Sequence, residues 1–304
     1  MTKKIILLML AIIAIAIPLS ADKKGKAKIQ FSEYTYDFGV IKEANGAVSH
    51  TFEFTNTGNA NLIITEVTAT CGCTRPEYPK EPIAPGKKGK IKEDYKFITF
   101  GGDGGTYDIG FQSLSGAMER GHDMVYVCYD NGAYMNTGVQ RSSATPMYAD
   151  TTTTPAGKVS DGKPQTRKDL AAVMAAHNIP YVAQTTFIGN MKDLYTKAEK
   201  AIYTPGAAFL NVLAPCPRGW KYDAPDIIEI CKLAVETCYW PLYEIVDGKW
   251  ILSYMPKNKL PLEEFLKKQG RFKHLFKSGN EHLLEAFQAE VDRRWEELLT
   301  RCNA

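Results

Sequence analysis

Phe97-Ile-Thr-Phe-Gly-Gly-Asp-Gly-Gly105 decides how the larger part of the chain folds. The first four residues predict a short apolar strand, and the glycines predict a turn at its carboxyl end. A helical pattern follows over 107–120 and stops at Gly121. Met124-Val-Tyr-Val-Cys128 predicts the next strand, closed by Tyr129-Asp130-Asn131-Gly132. Strand, glycine turn, helix and strand make a βαβ unit, which implies a parallel sheet. The alternation continues with helix 170–177, strand 181–186, helix 191–202, strand 208–213, a helix over 227–237 and a charged helix over 281–301. The segment Asp292-Arg-Arg-Trp-Glu-Glu-Leu-Leu299 predicts an amphipathic helix with its charges in solvent. Thr151 to Thr154 reads as a loop.

The chemistry of this half sits in the glycine turn. Glycines at the carboxyl end of a strand let backbone N–H groups approach a phosphate, and the following helix N-terminus favours an anion. Asp103 offers a hard oxygen ligand there. Mg²⁺ takes near-octahedral oxygen ligands and commonly bridges a carboxylate to phosphates. Asn131 closes the next strand and so falls at the same edge of a parallel sheet. A diphosphate–Mg²⁺ site can be built from Asp103, Asn131 and local backbone carbonyls.

Upstream the pattern is different. Lys3 and Lys4, then thirteen apolar residues from Ile5 to Ile17, then Pro18-Leu-Ser-Ala21, have the layout of a secretory signal peptide spanning 1–21. The apolar run is shorter than the ~20 residues a bilayer-spanning helix needs, so no stable membrane span is expected after cleavage. Residues 22–28 form a basic linker. Over 29–91 the sequence predicts short strands at Ile29 to Phe31, Tyr34 to Phe38, His50 to Thr55, Leu62 to Val67 and from Lys88, with turns at Asn56-Thr-Gly-Asn59 and Ala84-Pro-Gly86. Such spacing suggests a sandwich. Cys71-Gly-Cys73 departs from redox and zinc-knuckle spacing and reads as structural, with an oxidised pair as the other reading.

The whole chain has 304 residues, 44% hydrophobic and 23% charged, which suits a globular protein of about two domains and excludes wholesale disorder. A net charge of +3 gives no basic stripe, so no nucleic-acid partner is expected. Seven cysteines are too few for a disulfide-stapled scaffold. His122 and His274 have no base or metal partner in the sequence pattern and read as caps or surface residues.

Two family resemblances arise from these motifs. Tyr36-Asp-Phe-Gly-Val40, Phe52-Glu-Phe-Thr-Asn-Thr-Gly58, Thr70-Cys-Gly-Cys-Thr74 and Ile83-Ala-Pro-Gly86 resemble an exported, immunoglobulin-like (Ig-like) bacterial domain of unknown function. That family continues with further strands, so the domain over 29–91 reads as truncated. Gly102-Asp-Gly-Gly-Thr-Tyr-Asp-Ile-Gly110, Tyr129-Asp-Asn-Gly-Ala-Tyr-Met-Asn-Thr-Gly138, Gln140-Arg-Ser-Ser-Ala-Thr-Pro146, Ala214-Pro-Cys-Pro217 and Gln269-Gly-Arg-Phe-Lys-His274 are similar to the β subunit of pyruvate:ferredoxin oxidoreductase (pyruvate synthase). This resemblance covers 93–304 and implies an α/β thiamine-diphosphate-binding module with a parallel sheet.

In that family Asp103, Asn131 and the backbone carbonyl of Ala133 match the Mg²⁺ ligands. Gly102, Gly104 and Gly105 match the diphosphate turn, and Asn136 matches a polar residue near the thiazolium and substrate. The implied reaction converts pyruvate, CoA and oxidised ferredoxin to acetyl-CoA, CO₂ and reduced ferredoxin. It requires the α subunit, with γ and δ subunits or ferredoxin, so the β chain alone is expected to be inactive. Cys216 matches one ligand of a [4Fe–4S] cluster. The segment that carries the other three thiolates in the family is not found in this sequence, so the cluster is doubtful. The same missing segment implies an N-terminally truncated module whose sheet loses cover at one edge and on one face. Export and ferredoxin chemistry demand different compartments. A chimera joined near 91–93 explains both halves, and an exported noncatalytic binding module is the alternative function.

Overall fold

The computed structural model describes residues 25–41, 48–68, 74–189 and 191–303. The expected signal peptide, Asp22 to Lys24 of the basic linker, and Cys71 and Cys73 lie outside the described residues. The chain divides into two compact units, Met1–Phe97 and Ile98–Ala304. Among the described residues, no helix is long and apolar enough to cross a membrane.

In the first unit, β1 (Ile29–Phe31), β2 (Val48–Asn56), β3 (Thr74–Glu77) and β4 (Lys88–Tyr95) pair in the order β1-β2-β4-β3, antiparallel throughout. Phe54, Leu62, Ile64, Val67, Ile83 and Ile91 form its core. Gly89 lies across from Phe54 in the ladder, and a Cβ there would sit 2.3 Å from the Phe54 ring, so only glycine lets that ring lie over β4. The Asn56-Thr-Gly-Asn59 turn is fixed by buried Asn56. Its Nδ2 donates to Ala60 O and Ile83 O at 2.8 Å each, and its Oδ1 accepts from Gly58 N at 3.0 Å.

Two strand expectations fail here. Tyr34 to Phe38 makes no ladder, because its rings pack sideways instead: Tyr36 stacks on His50 at 3.6 Å and Phe38 stands edge-on to Tyr95 at 5.3 Å. Leu62 to Val67 contributes only the isolated bridge Leu62–Ile83. The described residues of this unit form one sheet, and the second sheet a sandwich needs is not formed among them.

The second unit contains β5 (Phe97–Gly102), a π-helical turn (Gly104–Ile109), α1 (Phe111–Glu119), β6 (Met124–Asp130), α2 (Leu170–Ala175), β7 (Tyr181–Thr185), α3 (Lys192–Tyr203) and β8 (Ala208–Leu213). After these come α4 (Pro217–Trp220), α5 (Ile227–Glu236), β9 (Tyr243–Val246), β10 (Lys249–Leu252), α6 (Leu262–Leu266), a 3₁₀ segment (Gly270–Phe276) and α7 (Glu281–Cys302). Its six strands run in the order β10-β9-β7-β8-β6-β5. β6, β8 and β7 are parallel, as expected. β9 runs antiparallel to β7, and β10 to β9, so the sheet is mixed and the all-parallel expectation is corrected. A two-residue hairpin at Asp247-Gly248, both at positive φ (47° and 80°), turns β10 back along β9 and suits the right-handed twist of the flanking strands.

Side chains alternate between faces along the central strands. Phe209 and Val182 point into a core with Leu114, Met118, Met174 and Trp295. Their neighbours Ala208, Leu210 and Ala183 join Val125 and Ala201 in another. Both faces of β7 and β8 are therefore packed, while Ile98 and Phe100 on the edge strand β5 and Tyr129 on β6 are exposed. α7 buries Leu283, Phe287, Val291, Trp295 and Leu298 at three- and four-residue spacing, while exposed Arg293 pairs with Glu290 and Glu297. Each such buried side chain contributes roughly 1.5–3 kcal/mol.

Candidate functional site

β5 and β6 are neighbours in the sheet, and both end in the same place. Asp103 follows β5 directly and is fully buried. Its Oδ1 accepts from Asn131 N at 3.2 Å, and its Oδ2 accepts from Ser142 Oγ at 2.5 Å. Asp103 and Asn131, predicted from 28 residues apart in sequence, are thus brought together. Asn131 Oδ1 accepts from Ala133 N at 3.3 Å, which folds residues 131–133 into one compact turn. Thr145 Oγ1 holds Gly132 O at 2.7 Å, and Trp220 Nε1 holds Asn131 O at 2.6 Å. Ser142 and Thr145 belong to the Gln140–Pro146 motif.

The glycines have distinct roles. A Cβ on Gly104 would lie 2.4 Å from Tyr134 Cδ1, so the Tyr134 ring covers that position. Gly105 is exposed, and a Cβ there would meet nothing within 4 Å. Gly102 lies beside the Tyr129 ring, 3.4 Å from where its Cβ would be. Gly110 N donates to Gly105 O at 2.8 Å, the i to i+5 bond of a π turn, and a Cβ on Gly110 would crowd that same oxygen at 2.4 Å. The helix expected over 107–120 accordingly begins as this π turn, with α1 starting at Phe111. Asn136 is exposed, beyond the compact turn at 131–133.

Beneath the turn lies a buried polar network that sequence reading missed. Asp130 Oδ2 accepts from Tyr107 OH at 2.7 Å and from Arg167 Nη2 at 2.5 Å, and its Oδ1 accepts from Gly132 N at 3.0 Å. Asn211 Nδ2 donates to Tyr107 OH at 2.9 Å. Arg167 stacks over Trp240, 4.4 Å from the ring centroid. Burial pulls Arg167 down most strongly, but the Asp130 carboxylate together with Tyr107 and Tyr239 outweighs it and holds the guanidinium above its ordinary value. Lys163 is buried and donates to Ser143 O, Thr145 O and Thr166 O at 3.3, 2.5 and 3.2 Å, clamping the loop that carries Ser142. Burial pushes its amine down to about 7. Tyr107 and Asp130 stand within the Gly102–Gly110 and Tyr129–Gly138 motifs, but no motif announces Arg167, Lys163 or Asn211.

Burial, then the neighbouring Asp130 carboxylate, push Asp103 up to about 7, against the opposing Ser142, Asn131 and Arg167 contacts. A carboxyl that burial disfavours as an anion regains its charge beside a divalent cation. The donor set is all oxygen: the Asp103 carboxylate, the Asn131 side-chain carbonyl and nearby backbone carbonyls such as that of Ala133. That set, with open space over Gly105, fits Mg²⁺ and a phosphate group.

The iron–sulfur expectation fares differently. Cys216 is half-buried and caps the start of α4, its Sγ accepting from Gly219 N at 3.5 Å. Among the described residues, no three His, Cys, Asp or Glu gather where they could hold a metal ion. Cys128, Cys231 and Cys238 are free thiols buried in the packing, and burial raises all three. A [4Fe–4S] cluster does not fit these residues. His274 Nε2 bonds with Asp161 O at 3.1 Å, a structural contact.

Comparison with known proteins identifies two matching families. Residues 29–103 match "Protein of unknown function (DUF1573)", and residues 80–212 match "Thiamine pyrophosphate enzyme, C-terminal TPP binding domain". Pyruvate synthase subunit PorB of Methanosarcina barkeri is 54% identical over 202 residues, 66% of this chain and 68% of that protein. PorB of Thermotoga maritima is 51% identical over 216 residues, 70% and 66% of the two chains. Ketoisovalerate oxidoreductase subunit VorB of Pyrococcus horikoshii is 45% identical over 243 residues, 79% and 76%. The chain thus spans about two thirds of the length of the PorB subunits it matches.

Proposed function

The chain belongs to the family of 2-oxoacid:ferredoxin oxidoreductase β subunits that includes PorB, and from that membership we propose that its second unit holds the diphosphate of thiamine diphosphate through Mg²⁺. The contact of Asn131 N with Asp103 Oδ1 carries this reading, since it joins the two predicted ligand-bearing positions at one sheet edge. Asp103, the Asn131 side-chain oxygen and the Ala133 carbonyl would hold the ion. Gly102, Gly104 and Gly105 would receive the diphosphate, and Asn136 would lie nearer the reacting end. When bound, the cofactor supplies the bond-breaking chemistry, and this chain supplies binding, orientation and charge. The buried Asp130–Tyr107–Arg167 network fixes the turn from below.

The proposed reaction is pyruvate, CoA and oxidised ferredoxin to acetyl-CoA, CO₂ and reduced ferredoxin, carried out with an α subunit and with γ and δ subunits or ferredoxin. No step is assigned to an iron–sulfur cluster in this chain. Calorimetry of the full chain tests the binding reading. Thiamine diphosphate should bind only with Mg²⁺ present, and Asp103→Asn should abolish binding. Absence of Mg²⁺-dependent binding by the wild type would refute it.

The match of residues 29–103 to a separate family favours a second reading for the first unit, a noncatalytic, Ig-like exported module behind a signal peptide. In that reading the chain is a chimera, joining an exported protein to a cytoplasmic one. Mass spectrometry of source cells decides it: a peptide crossing residues 85–100 supports the fusion, and peptides in which each half continues separately refute it.

A further inference from the structure

Two buried cations adjoin the Asn131–Ala133 turn without a carboxylate partner among the described residues, Lys163 and Arg271. They differ in one respect. Lys163 spends its donors on three backbone carbonyls, so its role is to clamp a loop. Arg271 has donors to spare. Its Nε donates to Gln269 Oε1 at 2.9 Å, while Nη2 is buried and has no partner among the described residues. The guanidinium carbon lies over Trp220, 3.7 Å from the ring centroid, and Trp220 in turn holds Asn131 O. It also touches the turn itself, since a Cβ on Gly132 would lie 3.1 Å from Arg271 Nη1. Arg271 stands in the Gln269–His274 motif, to which neither the fold nor the proposed cofactor site has given a function.

An unpaired buried guanidinium is costly. Stacking on an aromatic face recovers part of that cost, and a neutral glutamine oxygen recovers less. The Asp103 and Asp130 carboxylates act on Arg271 through space, but Asp130 is already paired with Arg167, and a cation at Asp103 would consume the other. What would then balance Arg271 is an anion seated on the turn. A magnesium-bound diphosphate still carries net negative charge after Asp103 is counted.

We propose that Arg271 is the counter-charge for the diphosphate group held at the Asp103–Asn131 turn, a positioning residue fixed by Trp220. This rests on the proposed Mg²⁺–diphosphate reading of the same site. The test uses the full chain, inorganic diphosphate as probe and calorimetry as readout, so activity is not needed. Wild type should bind diphosphate in the presence of Mg²⁺. Arg271→Met should weaken that binding by about tenfold or more, the scale of one charge-assisted hydrogen bond, and leave binding of Mg²⁺ alone unchanged. Arg271→Lys, which keeps the charge, should recover part of the loss. Wild-type affinity in Arg271→Met overturns the inference and leaves the cofactor reading standing. No binding by wild type overturns both. Should the variants fail to fold, ¹⁵N-arginine side-chain NMR of the wild type decides: magnesium diphosphate should shift a guanidinium signal, and unmoved arginine signals overturn the inference.

Discussion

Adding one methyl group at each of two adjacent glycines should have opposite effects on stability, and the one at Gly105 should also weaken binding. At Gly104 a Cβ would lie 2.4, 2.5 and 2.6 Å from three carbons of the Tyr134 ring. Comfortable carbon contacts begin near ~3.5 Å, so the ring must retreat by about 1 Å. It cannot do so freely, because the Tyr134 backbone exchanges hydrogen bonds of 2.9 and 3.1 Å with Gln140. Overpacking of this kind costs about 1–3 kcal/mol. In a unit of this size each kcal/mol lowers Tm by about 2–4 °C, so Gly104→Ala should melt roughly 2–12 °C lower. At Gly105 nothing stands within 4 Å of the new methyl, and the backbone is not left-handed. There Gly→Ala restricts the unfolded chain and should stabilise by about 0.4–1 kcal/mol. If the space over Gly105 receives the diphosphate, the same methyl obstructs it. Affinity for magnesium thiamine diphosphate should then fall by about tenfold or more, a loss of about 1.4 kcal/mol or greater. Differential scanning calorimetry and titration calorimetry on the two variants check both halves. A Gly105→Ala protein that binds the cofactor as wild type does would refute the placement of the diphosphate, and an unchanged Tm in Gly104→Ala would refute the packing argument.

Arg167→Met should strand the Asp130 carboxylate, whose side chain is 2% exposed, and destabilise the fold by about 3–5 kcal/mol, while an Asp130→Asn/Arg167→Met double variant should lose less; equal melting temperatures for wild type and Arg167→Met would sink this. Burial raises the Glu93 carboxyl above its ordinary value, against the Tyr95 hydroxyl that donates to it at 2.5 Å. Its folded form therefore keeps a proton that the unfolded chain has released, and stability declines as pH rises above about 4.5. Relative to wild type, Glu93→Gln should gain stability from pH 4 to pH 8 in thermal melts, and a pH-independent difference would contradict the assignment. Anaerobic reconstitution with iron and sulfide should give no stoichiometric cluster in the full chain, with or without Cys216→Ser; a Cys216-dependent [4Fe–4S] EPR signal would show that the thiol has partners this structure does not bring to it.

What the sequence made legible follows from distance along the chain. Asp103 and Asn131 were readable because a glycine turn and a strand end are local signals, and parallel neighbours put both at one edge. The β9–β10 hairpin was equally readable from Asp247-Gly248, a strong two-residue hairpin signal, whereas no local signal set β9 antiparallel to β7. Tyr34 to Phe38 shows the reverse error. An apolar, aromatic run satisfies the strand pattern, but stacking on His50 and Tyr95 satisfied the rings without a ladder. The pairings of the polar groups under the site left no local trace. Arg167 meets Asp130 from 37 residues away and Tyr107 from 60, and Trp220 meets Asn131 from 89. Only folding creates those pairs, and only burial gives them consequence.

That burial sets up a charge pattern that links folding to binding. Burial, then the Asp130 carboxylate, push Asp103 up to about 7, and burial pulls the Arg271 guanidinium down to about 10, where it still carries its charge in the same dry surroundings. They are not a pair: Asp103 spends its oxygens on Ser142 and Asn131, and Arg271 lies over Trp220. A hydrophobic core would have been easier to build from the same volume. Retaining both charges makes sense if a cation is to meet the carboxylate and an anion the guanidinium, because each then recovers what burial cost it. The ion and the anion would do so together, since Mg²⁺ bridges them. Such a site binds magnesium diphosphate as a unit and either component alone only weakly, and it returns that binding free energy as stability of the turn that presents Asn131.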